Sequence, residues 1–134
     1  RVGVYGATYA NNYFIDRVYP YLKMSGDHHY LQAQIGNEKD YLCAQVAYKL
    51  GFTGPAVSVQ TACSSSLVAA YLACEGLLTF QADVALAGGV TLGFLQAHGY
   101  SPQGDKLVSQ DGHCAPFSAE ATGTVYSSGA GLWC

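Results

Sequence analysis

From Ser64 to Phe80 the chain carries one charged side chain, Glu75, in a run otherwise made mostly of serine, alanine, leucine, valine, tyrosine, cysteine and glycine. The run reads as a helix, and a helix that is apolar nearly all round is normally buried inside a large domain. It therefore needs cover on more than one side, and that requirement dominates what the chain can fold into. The rest of the sequence points the same way. Only 6 basic and 9 acidic residues occur, 11% of 134 residues, against about 25% in an average globular domain. Much of the surface is expected to be covered by something outside these residues. The apolar ending Leu132-Trp133-Cys134 fits a piece from inside a larger domain, so residues 1–134 are read as one domain incomplete at both ends.

The same figures exclude several classes. Disordered chains are poor in apolar residues and rich in net charge, whereas half of this chain is hydrophobic. A net charge of −3 argues against a nucleic-acid partner, which needs a basic face. No uncharged apolar run reaches about 18 residues, so no membrane helix is expected. The opening Arg1-Val2-Gly3-Val4-Tyr5 reads as a strand rather than a signal peptide. Five cysteines, with no C-x-x-C spacing, do not make a disulfide framework. They read as reduced thiols of a cytoplasmic protein.

Strands and helices alternate along the chain. Val2 to Ala7 reads as a strand, and Asn11 to Met24 as a short helix followed by a loop. Asn37 is the expected N-cap of a helix running to Leu50, with Glu38 and Asp40 in its first turn. Gly51 is its natural stop, and Tyr41, Leu42, Val46 and Leu50 form its apolar stripe. After Gly54-Pro55, Val57 and Val59 alternate with Ser58 and Gln60 as a strand. Asp83 to Gly88 is another strand, Asp111-Gly112 a turn, and Thr124 to Cys134 a last strand interrupted by glycine. The pattern is α/β, layered as α/β/α.

The segment richest in chemistry is Val57-Ser-Val-Gln-Thr-Ala-Cys63-Ser-Ser-Ser66. A strand ends and a cysteine stands where the next helix begins. A helix N-terminus offers unpaired N–H groups and partial positive charge beside the sulfur, and those N–H groups can donate to an oxyanion. On the residues alone, Cys63 is either such a nucleophile or a buried structural thiol. A hydrolase elbow of the G-x-nucleophile-x-G kind is not matched, since Thr61 and Ser65 hold the glycine positions. Cys43 and Cys74 fall inside predicted helices as small core residues, and Cys114 and Cys134 also read as structural. His28-His29 beside Asp27 lacks the spacing of a metal site, so no metal is expected. His98 or His113 could serve Cys63 as a base, but the spacing selects neither. No glycine-rich nucleotide loop is present.

Gly54-Pro55-Ala-Val-Ser-Val-Gln-Thr-Ala-Cys63-Ser-Ser-Ser-Leu67 resembles the nucleophile motif of the β-ketoacyl synthases, most closely the ketosynthase domains of modular type I polyketide synthases. The likeness continues through Gly36-Asn37-Glu-Lys-Asp40, Val46-Ala-Tyr48-Lys-Leu50-Gly51, Ala70-Tyr-Leu-Ala-Cys74-Glu and Asp83-Val-Ala-Leu-Ala-Gly88-Gly89-Val90. It runs on through Asp111-Gly112-His113-Cys114, Pro116-Phe117, Gly123-Thr124-Val125 and Gly129-Ala130-Gly131. It implies the thiolase fold, two similar layered α/β halves in a homodimer, with this chain most of the N-terminal half. It implies a decarboxylative Claisen condensation through a Cys63 thioester, in polyketide or fatty acid biosynthesis. Cys63 is the one catalytic residue carried over, because the two histidines of the family lie in its C-terminal half. No cofactor is bound directly; phosphopantetheine arrives on an acyl carrier protein. The implied partners are that carrier, a second copy of the chain, and the acyltransferase and other domains of the same synthase, with no nucleic acid or membrane. Without its second half, the chain is expected to be inactive in condensation and poorly soluble. Gln45 stands where an arginine is usual, Ala115 for a basic residue, Ser118 for an aspartate and Ser127 for a glycine. These departures speak for the alternative, a non-elongating scaffold serving dimerisation or carrier docking.

Overall fold

The structure, a computed structural model, describes residues 1–25, 29–92, 99–101 and 107–134. The described residues form two compact units, Arg1–Thr91 with Ala130–Cys134, and Leu92–Gly129.

The larger unit is built on a four-stranded sheet. In chain order its strands are β1 (Val2–Thr8), β2 (Ala56–Ser58), β3 (Val84–Thr91) and β4 (Gly129–Trp133), and in space they run β2-β1-β3-β4. β1 pairs in parallel with β2, Tyr5 opposite Val57, and with β3, Gly6 opposite Gly88. Parallel neighbours need crossover connections, and helices supply them. Four α-helices are described, α1 (Tyr19–Ser25), α2 (Tyr30–Asn37), α3 (Leu42–Leu50) and α4 (Ser65–Leu78), with a turn of π-helix over Phe14–Val18 leading into α1.

Side chains alternate across β1 and so divide the core into two layers. On one face Val4 packs with Cys43 and Ala47 of α3, with Val46 and Phe52 beside them. On the other, Tyr5 packs with Val59, with Ala69 and Ala73 of α4, and with Ala85 and Ala87 of β3. This is the α/β/α layering expected. Both helices meet the sheet through small residues. On α4 the buried positions are Ser65, Ala69, Ala73 and Gly76. A methyl on Gly76 would run into the Tyr5 hydroxyl, so that tyrosine lies under the helix only because position 76 has no side chain.

Several local expectations are corrected. Asn37 is not an N-cap but the last residue of α2. Its amide donates back to the Ala33 carbonyl (2.7 Å), and Asn11 donates to its carbonyl (2.6 Å). Glu38 is extended, a short 3-10 turn covers Lys39–Tyr41, and α3 starts only at Leu42. Gly51 ends α3 in the left-handed conformation, φ 68°, as the sequence suggested. The expected stripe on α3 is displaced: Tyr41 and Leu50 are exposed, and Cys43 and Ala47 are buried. Cys43 is the small core residue anticipated, but Cys74 is exposed. β4 begins only at Gly129; Thr124 makes an isolated parallel bridge with Val108 in the smaller unit.

The outward face of α4 presents Leu67, Tyr71 and Leu78, 73%, 61% and 72% exposed. Helices normally bury the large residues and expose the small; here the small residues seat the helix on the sheet and leave an apolar stripe outside.

In the smaller unit Ser109 is fully buried. Its hydroxyl donates to Asp111 Oδ1 (2.6 Å) and accepts from the His113 N–H (3.1 Å), which also reaches Asp111 Oδ1 (3.1 Å). The hydrogen bond from Ser109, then that from the His113 backbone, holds the Asp111 carboxyl below its ordinary range. A depressed carboxyl adds stability above its unfolded pKa of about 3.9 and loses it as pH falls through the lower folded value. The Asp111 side-chain carboxyl resonance is expected to titrate with a midpoint below the ordinary aspartate value of about 3.9. A midpoint at or above the ordinary aspartate value would remove these bonds from the account.

Candidate active site

β2 lies at one edge of the described sheet, and its ladder with β1 ends where the Val59 N–H donates to the Gly6 carbonyl (2.8 Å). Gln60 and Thr61 then leave the sheet, a 3-10 turn covers Ala62–Ser64, and α4 follows. Cys63 is therefore at the carboxyl end of a parallel strand and at the start of a helix of 14 residues. In open parallel sheets ligands bind at that end, where helix N-termini deliver unpaired N–H groups. The first turn of α4 lies near the end of β3: a methyl on Gly89 would sit 3.5 Å from Ser66 Cβ.

The turn is sharp. Ala62 has φ 54°, a left-handed conformation that costs a residue with a Cβ about 1–2 kcal/mol. The glycine-flanked elbow motif is absent, yet a strained turn is present one residue before the cysteine. Hydroxyls tie it down. The Thr61 N–H donates to Ser65 Oγ (2.8 Å), which donates to the Ala62 carbonyl (2.7 Å). Ser64 Oγ donates to the Thr61 carbonyl (2.8 Å) and lies 3.0 Å from Thr61 Oγ1. Nothing in the sequence pattern singled out Ser65. The available signal was a hydroxyl two residues after a thiol, where the elbow pattern asks for glycine.

All five cysteines are free thiols, and they differ in setting. Cys63 is exposed among the described residues. Cys43 is buried, donates weakly to the Gly6 carbonyl (3.7 Å), and has its thiol pushed up by burial, which makes it inert. Cys74 is exposed but sits midway along α4, where neighbouring N–H groups are used within the helix. Cys114 accepts from the Val125 N–H (3.2 Å). An exposed thiol can attack a carbonyl carbon, and of the five cysteines Cys63 alone stands at a helix start.

His113 belongs to the smaller unit, where its N–H serves Ser109 and Asp111. His28, Asp27 and His98 lie outside the described residues. His29 precedes α2, and its carbonyl accepts from the Ala33 N–H (2.9 Å). Among the described residues no group of three His, Cys, Asp or Glu could hold a metal ion, and no helix is long and apolar enough to cross a membrane.

Against known proteins, the family model described as β-ketoacyl synthase, N-terminal domain, matches residues 1–134. The chain belongs to the β-ketoacyl synthase family. It is 48% identical over 96 residues to one component of the phenolphthiocerol/phthiocerol polyketide synthase of Mycobacterium tuberculosis, covering 72% of this chain and 6% of that protein. The 3-methylorcinaldehyde synthase of Sarocladium schorii is 40% identical over 96 residues, covering 72% of this chain and 4% of that protein. Ketosynthase twelve of the bacillaene polyketide synthase from Bacillus amyloliquefaciens superposes with a TM-score of 0.83 at 31% identity, over 98% of this chain and 22% of that one. The ketosynthase from module 6 of the Bacillus subtilis bacillaene synthase gives 0.72 at 31%, over 98% of this chain and 21% of that one. The fold is thus that of the polyketide ketosynthases, in part: the chain spans about a fifth of those solved structures.

Two of the four positions noted in the sequence, Gln45 and Ser118, make local hydrogen bonds. Gln45 Nε2 donates to the Ile35 carbonyl (2.9 Å), joining α3 to α2 with a neutral bond. The Ser118 hydroxyl accepts from the Glu120 N–H (3.1 Å).

Proposed function

We propose that the chain is the acyl-accepting part of a polyketide-synthase ketosynthase and that Cys63 is the residue acylated. The observation that carries this is an exposed thiol at the β2–α4 turn, in a chain of this family. The Cys63 sulfur attacks the carbonyl carbon of an acyl thioester held on phosphopantetheine. The Cys63 N–H meets the oxyanion, and the pantetheine thiolate leaves. A malonyl-type unit on a carrier protein then loses carbon dioxide, and its carbanion attacks the Cys63 thioester. The new carbon–carbon bond forms and the Cys63 thiolate departs, as a good leaving group.

Decarboxylation and the second oxyanion fall to the two histidines that the family carries in its C-terminal half. Such acid–base and oxyanion groups contribute about 10²–10⁴-fold each, so residues 1–134 alone are expected to show no condensation. The partners are an acyl carrier protein, the other domains of the synthase, and a second copy of the chain paired along β2, whose Ala56 and Val57 are exposed at the sheet edge. Five free thiols fit a reducing cytoplasm. The non-elongating scaffold is the weaker reading, because a scaffold has no use for an exposed thiol at a strained turn.

Incubating the full-length synthase with an acyl-N-acetylcysteamine thioester and mapping the acyl group by peptide mass spectrometry tests the reading. The acyl group is expected on the peptide containing Cys63. Acylation elsewhere with Cys63 unmodified would reject it.

A further inference from the structure

We propose that Ser65 is a positioning residue for the nucleophile, its hydroxyl clamping the left-handed Ala62 turn that presents Cys63. The inference rests on Cys63 being the acylated residue. Ser65 Oγ uses both its capacities on one stretch of backbone, accepting from the Thr61 N–H (2.8 Å) and donating to the Ala62 carbonyl (2.7 Å). Those two groups bracket the Thr61 and Ala62 dihedrals together. With both fixed, Ala62 is held at φ 54°, outside the regions a residue with a Cβ prefers. Strain of this kind persists only where the surroundings over-determine it, and it concentrates at functional sites.

A serine at a helix start ordinarily caps the helix by accepting from an N–H one turn ahead. Neither Thr61 nor Ser64 makes such a side-chain cap here, and the hydroxyls of Ser64 and Ser65 both turn back onto the preceding loop. Ser65 is the one water cannot replace. It is 8% exposed, whereas Ser64 is exposed, so water can take over the Ser64 bonds but not those of Ser65. Without the clamp Ala62 relaxes toward the right-handed or extended regions. Cys63, the next residue, then swings relative to α4.

The test uses the full-length synthase with Ser65→Ala, Ser64→Ala, Ala62→Gly, the Ala62→Gly/Ser65→Ala double variant and Cys63→Ala. Two rates are read: acyl transfer from an acyl-N-acetylcysteamine thioester, and alkylation of Cys63 by iodoacetamide. Acyl transfer needs the sulfur and the oxyanion donor in register, and a misplacement of about 1 Å costs about 10²-fold; alkylation needs only access. Ser65→Ala is expected to slow acyl transfer by roughly 10- to 100-fold and to leave alkylation close to wild type, while Ser64→Ala transfers near the wild-type rate. Glycine tolerates positive φ, so the double variant is expected to recover most of the lost rate. Wild-type acyl transfer in Ser65→Ala overturns the inference. So does a folded double variant that stays as slow as Ser65→Ala, or alkylation that falls in parallel with transfer. If Ser65→Ala does not fold, the double variant decides: transfer close to Ala62→Gly supports the clamp, and a tenfold deficit rejects it. Loading that survives in Cys63→Ala refutes the reading of Cys63 itself; loading lost there but intact in Ser65→Ala refutes only the clamp.

Discussion

Cys63→Ala is expected to abolish acyl loading of the full-length synthase, while Cys74→Ala loads at close to the wild-type rate. Both thiols are exposed and both belong to the β2–α4 segment, so the contrast isolates what position contributes. Cys63 precedes the first turn of α4, at the positive end of the helix dipole; the Ser64 and Ser65 N–H groups donate to the Thr61 and Ala62 carbonyls within the turn, which leaves the Cys63 N–H as the expected donor to an oxyanion. Cys74 sits in the third turn, where each N–H is bonded within the helix, so a tetrahedral intermediate there finds no donor. Cys74 is expected to react with iodoacetamide yet not to accept an acyl group. Cys63→Ser sharpens the comparison. A hydroxyl keeps the geometry but is a weak nucleophile without a general base, a function worth about 10²–10⁴-fold, so residual loading is expected to fall by roughly that factor. Intact-mass measurement after incubation with the acyl thioester reads all three variants. An acyl group retained in Cys63→Ala and lost in Cys74→Ala would reverse the assignment.

What the sequence made legible was what local pattern decides. The short apolar run at Val2 ends in small residues and forms β1; Gly51 stops α3 because only a residue without Cβ takes φ 68° at no cost. The cysteine at the end of the Val57/Val59 alternation marked the strand-to-helix junction. α4 was legible as a helix needing cover on two sides, and its exposed Leu67, Tyr71 and Leu78 repeat that demand in the structure.

What stayed hidden depends on contacts distant in sequence. Asn37 has the composition of an N-cap, but its carbonyl is taken by Asn11, 26 residues earlier, and its amide by Ala33. That clamp belongs to the end of α2, a helix whose Leu31 and Ile35 are exposed and give no periodic signal. Cys74 resembles Cys43 in composition of surroundings. The difference is which side of each helix meets the sheet, and on α4 the smallest residues, Ala69, Ala73 and Gly76, take that side. The left-handed Ala62 was unreadable because the elbow pattern looks for glycine, whereas here a buried serine hydroxyl holds an alanine in place.

Replacing Gly88 is expected to open the sheet between β3 and β4, with Gly88→Val more damaging than Gly88→Ala. Gly88 lies in β3 opposite Gly6 of β1. A Cβ there would overlap the Gly131 carbonyl oxygen and lie 2.9 Å from Leu132 Cδ2 and 3.0 Å from the Gly131 carbonyl carbon. The Leu132 methyl could rotate away, but the Gly131 backbone moves only if β4 moves. Overpacking in a core costs about 1–3 kcal/mol, and with a backbone group in the way Gly88→Ala is expected at the top of that range. Valine adds two methyls to the same collision. The neighbouring Gly89 is the control, because a Cβ there meets only the Ala7 carbonyl oxygen and Ser66 Cβ, both at 3.5 Å, an ordinary contact. Gly89→Ala at a conformation alanine can adopt loses less chain entropy on folding and is expected to be neutral or stabilising by about 0.4–1 kcal/mol. Hydrogen exchange of the β3 and β4 amides in the intact protein reads the effect locally, since exchange reports the opening free energy of each element. Protection in β4 is expected to fall sharply in Gly88→Ala and to hold in Gly89→Ala; equal protection in the two variants would mean that β4 does not lie against Gly88.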